Sequence, residues 1–290
     1  MEDEMQTPQG EGNQHRAVHT LVTNTIWIIL QTYVHVLLQY HMQGLLPGLI
    51  DDQKCQNILD MLCGAGRWVL DLAHSDPGLQ VEGIESNKGL YQYALAGRTV
   101  QRRENAHFIN GSPAHIRTRR GHFYDLVHLR FASLRCQEEE LLAMLREGLR
   151  IGKGQICWIE AGELETPHSA CTRWYSLLRT LLQREGRHLC TGAQMVRHLH
   201  EAGWRDVQHQ ASIIDLSAGT PGYHLFARDW HWMALYLAPL AQHWNLATRE
   251  ELAQWHRDLT IELLSPQFQA RWTLHTVIGK VPLKRDISGT

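Results

Sequence analysis

The chain has no Cys-x-x-Cys pair, no His-Glu-x-x-His helix and no excess of charge of either sign, and each absence removes a class of function. Its six cysteines stand apart at 55, 63, 136, 157, 171 and 190. That spacing argues against zinc and against a disulfide framework, and fits a reducing cytoplasm. Nineteen histidines are many, but His198 and His200 fall on different faces of one helical stretch, so no metal site is expected. A formal net charge of −2 gives no footprint for nucleic acid or an anionic membrane. The one short basic cluster, Arg117, Arg119 and Arg120, has no aromatic residue among its members and reads as a solvated loop. Met1–Gln14 lacks the basic start and compact apolar core of a signal peptide, and is polar enough to expect disorder.

Residues 17–50 contain no Lys, Arg, Asp or Glu. A bilayer span needs about twenty apolar residues, so a membrane helix has to be weighed. Asn24, Gln31, Thr32, His35 and Gln39 would be costly in lipid, whereas Ile26, Ile29, Leu30, Val34, Leu37 and Leu38 recur at helical spacing. The block therefore reads as a buried amphipathic helix, ended by Gly44 to Gly48 with Pro47.

The most informative stretch is Asn57 to Trp68, N-I-L-D-M-L-C-G-A-G-R-W. Ile58, Leu59 and Met61 suit a parallel strand covered on both faces, with Asp60 at its carboxyl end. Gly64 and Gly66 allow a sharp turn and close approach to a ligand, and Arg67 opens a helix whose first N–H groups are free. About twenty residues on, Val81 and Ile84 make a second strand ending in Glu85, placed to accept from ribose hydroxyls. A dinucleotide dehydrogenase would carry a third glycine where Val69 stands.

These features resemble the class I S-adenosylmethionine-dependent methyltransferases, of the small-molecule and quinone type. Asp60, Gly64 and Gly66 match the family's first motif and Glu85 its ribose acid; Asn110 to Ala114 fall on its third motif. Tyr124 to Phe131 match its fourth strand and Leu149 to Gly154 the approach to its fifth, so the resemblance covers roughly residues 57–160 in order. Two positions depart from it: Leu62 replaces a glycine, and Ser112 replaces the acid that accepts from adenine. A left-handed backbone at Leu62 would cost about 1 to 2 kcal/mol.

The resemblance implies an α/β fold, a Rossmann-like seven-stranded doubly wound sheet whose last strand is antiparallel. An N-terminal helical cap and a helical insertion between strands six and seven are expected additions. The boundaries read as a disordered tail over 1–15, cap over 16–52, core over 53–218, insertion or lid over 219–268, and final strand and tail over 269–290. It also implies S-adenosylmethionine as cofactor, held by Asp60, Leu62, Cys63, Gly64, Gly66, Glu85, Ser86, Ser112, Pro113 and His128. His128, on strand four, is either a general base or a packed strand residue. Glu160 is either catalytic or substrate-binding, or a cap of the loop that follows it, and Arg130 either orients a carboxylate or pairs structurally. Tyr223 and His224 are candidate substrate contacts, in an insertion rich in tryptophan.

The expected activity is methyl transfer to a small-molecule acceptor, with no nucleic-acid or membrane partner. Alternatives are a methyltransferase fold retained for binding alone, or a cofactor-assisted rearrangement enzyme.

Overall fold

The computed structural model describes residues 9–50, 55–114, 116 and 121–282, with side chains from residue 25 onward. The basic cluster at 117–120, residues 1–8 of the expected tail and residues 283–290 lie outside the described residues. Helix α1 covers Gln9–Met42, so the boundary expected at residue 15 falls inside a helix. Among the described residues no helix is long and apolar enough to cross a membrane.

Seven strands follow the pattern of apolar runs: β1 (Asn57–Asp60), β2 (Gln80–Glu85), β3 (Ala106–Asn110), β4 (Tyr124–Arg130), β5 (Gly152–Glu165), β6 (Arg205–Asp215) and β7 (Arg271–Lys280). Their spatial order is β3-β2-β1-β4-β5-β7-β6. The first five pair in parallel, while β7 runs antiparallel between β5 and β6. The chain reverses its direction of growth between β1 and β4, which places a crevice at the carboxyl ends of those strands.

Both faces of the central strands are buried, and strand alternation sorts their side chains. Ile58, Leu126 and Ile159 enter one core with α1, α2 (Arg67–Ser75) and α5 (Ser169–Arg184). Leu59, Val127 and Trp158 enter the other, with α4 (Glu138–Ile151) and α6 (Gly192–Ala202). Helix α3 (Lys88–Gln101) starts at Asn87, whose side chain accepts from the Gly89 and Leu90 amides. His198 is buried against Glu138 at 2.8 Å and His200 is exposed, so the two point apart as their spacing requires.

The insertion between β6 and β7 is a helix pair, α7 (Tyr223–His243) and α8 (Arg249–Leu263). Thr248 and Glu251 start α8 with reciprocal bonds between side chain and backbone. Glu262 then reaches from α8 to the first turn of α5, accepting from the Ala170 and Cys171 amides at 2.9 Å each. Trp174 meets Trp255 edge to face and donates its indole N–H to the Trp255 carbonyl. The insertion is thereby tied to the sheet's helical layer. Glu262→Ala leaves two helix-start amides without their acceptor; a loss of about 1 to 2 kcal/mol is expected in urea unfolding, with Glu262→Gln losing less.

Candidate active site

The turn after β1 is shaped by its glycines. Gly64 and Gly66 take φ of +57° and +77°, a region in which only glycine rests without strain. Leu62 is not among the positive-φ residues, so the glycine it replaces is not needed here for its backbone conformation. Met61 donates to the His128 carbonyl and Cys63 to the Ile84 carbonyl, which anchors the turn across the ends of β4 and β2.

Glu85 is fully buried at the end of β2 and is saturated with donors. Its carboxylate accepts from the Gly64 amide at 2.9 Å and the Asn87 amide at 2.8 Å. Arg135, five residues beyond β4, closes on both oxygens at 2.8 and 3.0 Å and also donates to the Leu62 carbonyl. Glu85, the residue expected to bind ribose, is thus held by Arg135.

Helix α1 seals the turn from above. The Gln31 side-chain oxygen accepts from the Ala65 amide at 2.9 Å, and its carboxamide fills the space that a Cβ on Gly64 would enter. His35 bonds Asp71 of α2 at 2.9 Å, and Arg67 bonds the same oxygen at 2.8 Å. Burial lowers the His35 pKa against the opposing pull of Asp71. Trp68 donates to the Leu45 carbonyl at 2.7 Å, fixing the segment after α1 as well.

Beneath this cap lies a mainly apolar cavity. Trp27, Gln31 and Val34 of α1 form one side, and Leu62, Cys63, Arg130 and Phe131 line the strand ends. Phe226, Asp229, Trp230 and Met233 of α7 form the facing wall, with Trp272 of β7 beside Phe131.

The expected catalytic residues occupy the framework of this cavity. His128 is fully buried and stacks flat on Trp68, centroids 3.7 Å apart and planes within 8°. Its Nδ1 lies 3.5 Å from the orphaned Asp60 Oδ1, and neither ring nitrogen has a hydrogen-bond partner among the described residues. Burial lowers its pKa, Asp60 opposing, so the ring is neutral near pH 7. The position expected at the ligand-facing end is therefore a packed one, because the Trp68 indole lies across its face.

Glu160 is buried and accepts from the Ser133 amide at 3.0 Å, the Ser133 hydroxyl at 2.6 Å and the Trp158 indole at 2.7 Å. Burial raises its pKa to about 7 against these donors. It holds the turn containing Phe131, a non-glycine residue at φ +51°, a conformation that costs of order 1 kcal/mol. The loop it caps precedes it in the chain and follows β4.

Arg130 does line the cavity. Its nearest polar partner is His35 Nδ1 at 3.4 Å, and its guanidinium lies 5.8 Å from the Trp68 ring. Burial lowers its pKa, Asp60 partly offsetting. Tyr223 and His224 do not line the cavity: Tyr223 donates to the Leu263 carbonyl and tilts against Phe268, while His224 is exposed. The insertion reaches the cavity one to three turns further along α7. Ser86 and Ser112 are exposed at the ends of β2 and β3, Ser112 accepting from the Ala114 amide; Pro113 is buried.

Gln31, Arg135 and Asp229 were not marked by sequence reasoning. Asp229 had a signal: an acid with Phe226, Trp230 and Met233 at helical spacing falls on the apolar stripe. Burial raises its pKa to about 8.

No family model matches the chain. A stretch of 60 residues is 42% identical to the 23S rRNA (uracil(1939)-C(5))-methyltransferase RlmD of Nitrosococcus oceani, covering 21% of this chain. The match spans only 13% of that enzyme's length. Among solved structures, the YcgJ protein from Bacillus subtilis aligns over 81% of this chain and 97% of its own, with TM-score 0.50 and 14% identity. The [4+2]-cyclase SpnF aligns over 79% and 76% with TM-score 0.48 and 18% identity. With its strand order and antiparallel β7, the fold is a Rossmann-like seven-stranded α/β sheet, an architecture that YcgJ shares.

Two outcomes are expected. His128→Phe keeps the stack on Trp68 and should leave thermal stability nearly unchanged, whereas His128→Ala opens a cavity and should cost about 3 kcal/mol. Glu160 and Asp229 both hold their protons more tightly folded than unfolded, so unfolding free energy should fall as pH rises from about 4 to about 8. Asp229→Asn should flatten the part of that slope above pH 7, as read by urea unfolding across the range.

Proposed function

We propose that the protein binds S-adenosylmethionine at the turn after β1 and transfers its methyl group to a small molecule held in the cavity under α1 and α7. The observation that carries this reading is Glu85, an acid at the end of β2 bonded to the Gly64 amide of a positive-φ glycine turn. The donor set suits the cofactor. Glu85 would accept from the ribose hydroxyls, and the turn amides would face the methionine end. Arg130, with no carboxylate at ion-pair distance among the described residues, would take the methionine carboxylate.

When bound, the cofactor supplies a methyl group already activated on a sulfonium, so the protein's contribution is placement. Oriented reactants gain effective molarities on the order of 10⁵ to 10⁸ M. The cap and the α7 wall exclude water from the reacting atoms. Gln31 must leave the Ala65 amide, and Arg135 must free at least part of the Glu85 carboxylate, for the cofactor to seat. The roofed, apolar cavity favours a small acceptor over a macromolecule.

A second reading, a binding protein without turnover, is favoured by those same contacts, since the chain's own groups already cap the turn and the ribose acid. Titration calorimetry with S-adenosylmethionine and S-adenosylhomocysteine tests the first reading. Micromolar affinity lost at least a hundred-fold in Glu85→Ala is expected, as for losing hydrogen bonds to a charged group worth about 3 kcal/mol. Absence of binding to either compound would leave the second reading. Binding without consumption of the cofactor by any acceptor would exclude methyl transfer and leave binding alone or a cofactor-assisted rearrangement.

A further inference from the structure

The cavity contains one acid whose position no contact within the chain explains. Among the described lining residues Asp229 is the single carboxylate. It is 8% exposed, and its Oδ1 has no hydrogen-bond partner among the described residues. Helical spacing brings Phe226, Trp230 and Met233 to the same face of α7. The Phe226 and Tyr175 rings lie 5.9 and 6.3 Å from the Trp230 ring, so an aromatic wall adjoins the carboxyl. An acid in such surroundings is costly, and leucine would fill the place without that cost.

The chain's own cations at the cavity are engaged elsewhere. Arg135 pairs with Glu85, Arg67 with Asp71, and Arg130 lies over Trp68 beside His35. Burial alone shifts the Asp229 carboxyl, without a contribution from any of these guanidinium groups. An anionic ligand group would find Arg130; the complement to Asp229 is a hydrogen-bond donor carrying positive charge. Aromatic faces beside a carboxylate add attraction for a cation.

We propose that Asp229 defines the acceptor subsite of this cavity, and that the subsite takes an apolar molecule carrying a basic nitrogen, held by the Asp229 carboxylate beside the Trp230 ring. Naming the bound molecule as the methyl acceptor rests on the methyltransferase reading; the binding itself does not.

The test is calorimetric titration of the full chain near neutral pH with two probes of one shape, 2-phenylethylamine and 2-phenylethanol. The amine should bind wild-type protein about ten-fold or more tightly than the alcohol, as expected for a hydrogen bond to a charged group. Asp229→Asn should abolish that preference. Asp229→Leu should keep alcohol binding and melt at a higher temperature, whereas an acid with a structural role would make this variant melt lower. Because burial keeps the empty-site carboxyl protonated up to about pH 8, the amine should release protons on binding and the alcohol none. Titration in two buffers of different ionisation heat reads this difference.

Equal affinity for the two probes, a preference that survives in Asp229→Asn, or no binding of either probe overturns the proposal. Cofactor binding is measured separately. Amine preference without cofactor binding would sink the methyltransferase reading and keep the subsite, and the reverse pattern would do the opposite.

Discussion

The structure depends on how the backbone amides of one glycine turn are satisfied. A turn that leaves the sheet through two positive-φ glycines exposes N–H groups that cannot stay unpaired once covered. Glu85 takes the Gly64 amide, the Cys63 carbonyl takes that of Gly66, and Gln31 takes that of Ala65. The last bond brings α1 onto the sheet, and the His35–Asp71 pair keeps it there. The cavity is the space left between α1, the strand ends and α7. Cap and glycine turn are thus joined through one set of donors.

Charge within this region is arranged by burial. Asp60 and His128 lie together in the core under Trp68, Glu160 holds the turn after β4, and Arg135 neutralises Glu85. None of the first three reaches the cavity, although all stand beside strand ends where catalytic groups commonly sit. They pack the rim, while Arg130 presents a guanidinium and Asp229 a buried carboxyl to the cavity itself. Three guanidinium groups and one carboxyl line the cavity among the described residues, and of the three only Arg130 has no carboxylate at ion-pair distance.

The sheet was legible in the sequence because its signals are local. Strands β1, β2 and β4 are short apolar runs ending in polar residues, and each fell within a few residues of its expected place. The fold class and the glycine turn followed from them, as did the helical insertion before β7. Of the two readings of His128 the structure shows the packed one, because its environment is set by Trp68, a residue from another element. Tyr223 and His224 misled because chain proximity to β6 stood in for the direction of α7, whose wall begins at Phe226.

Sequence by itself determined the order of elements, the positive-φ turn and the acid at the end of β2, since each rests on residue type and spacing over a few neighbours. Tertiary structure alone decided that Arg135 closes on Glu85, that Gln31 caps the turn, and that Asp229 faces the cavity without a partner. Those contacts join residues 34 to 50 positions apart, or place a helix face against a sheet end. A bond of that kind depends on how layers pack, and packing is a property of the whole chain.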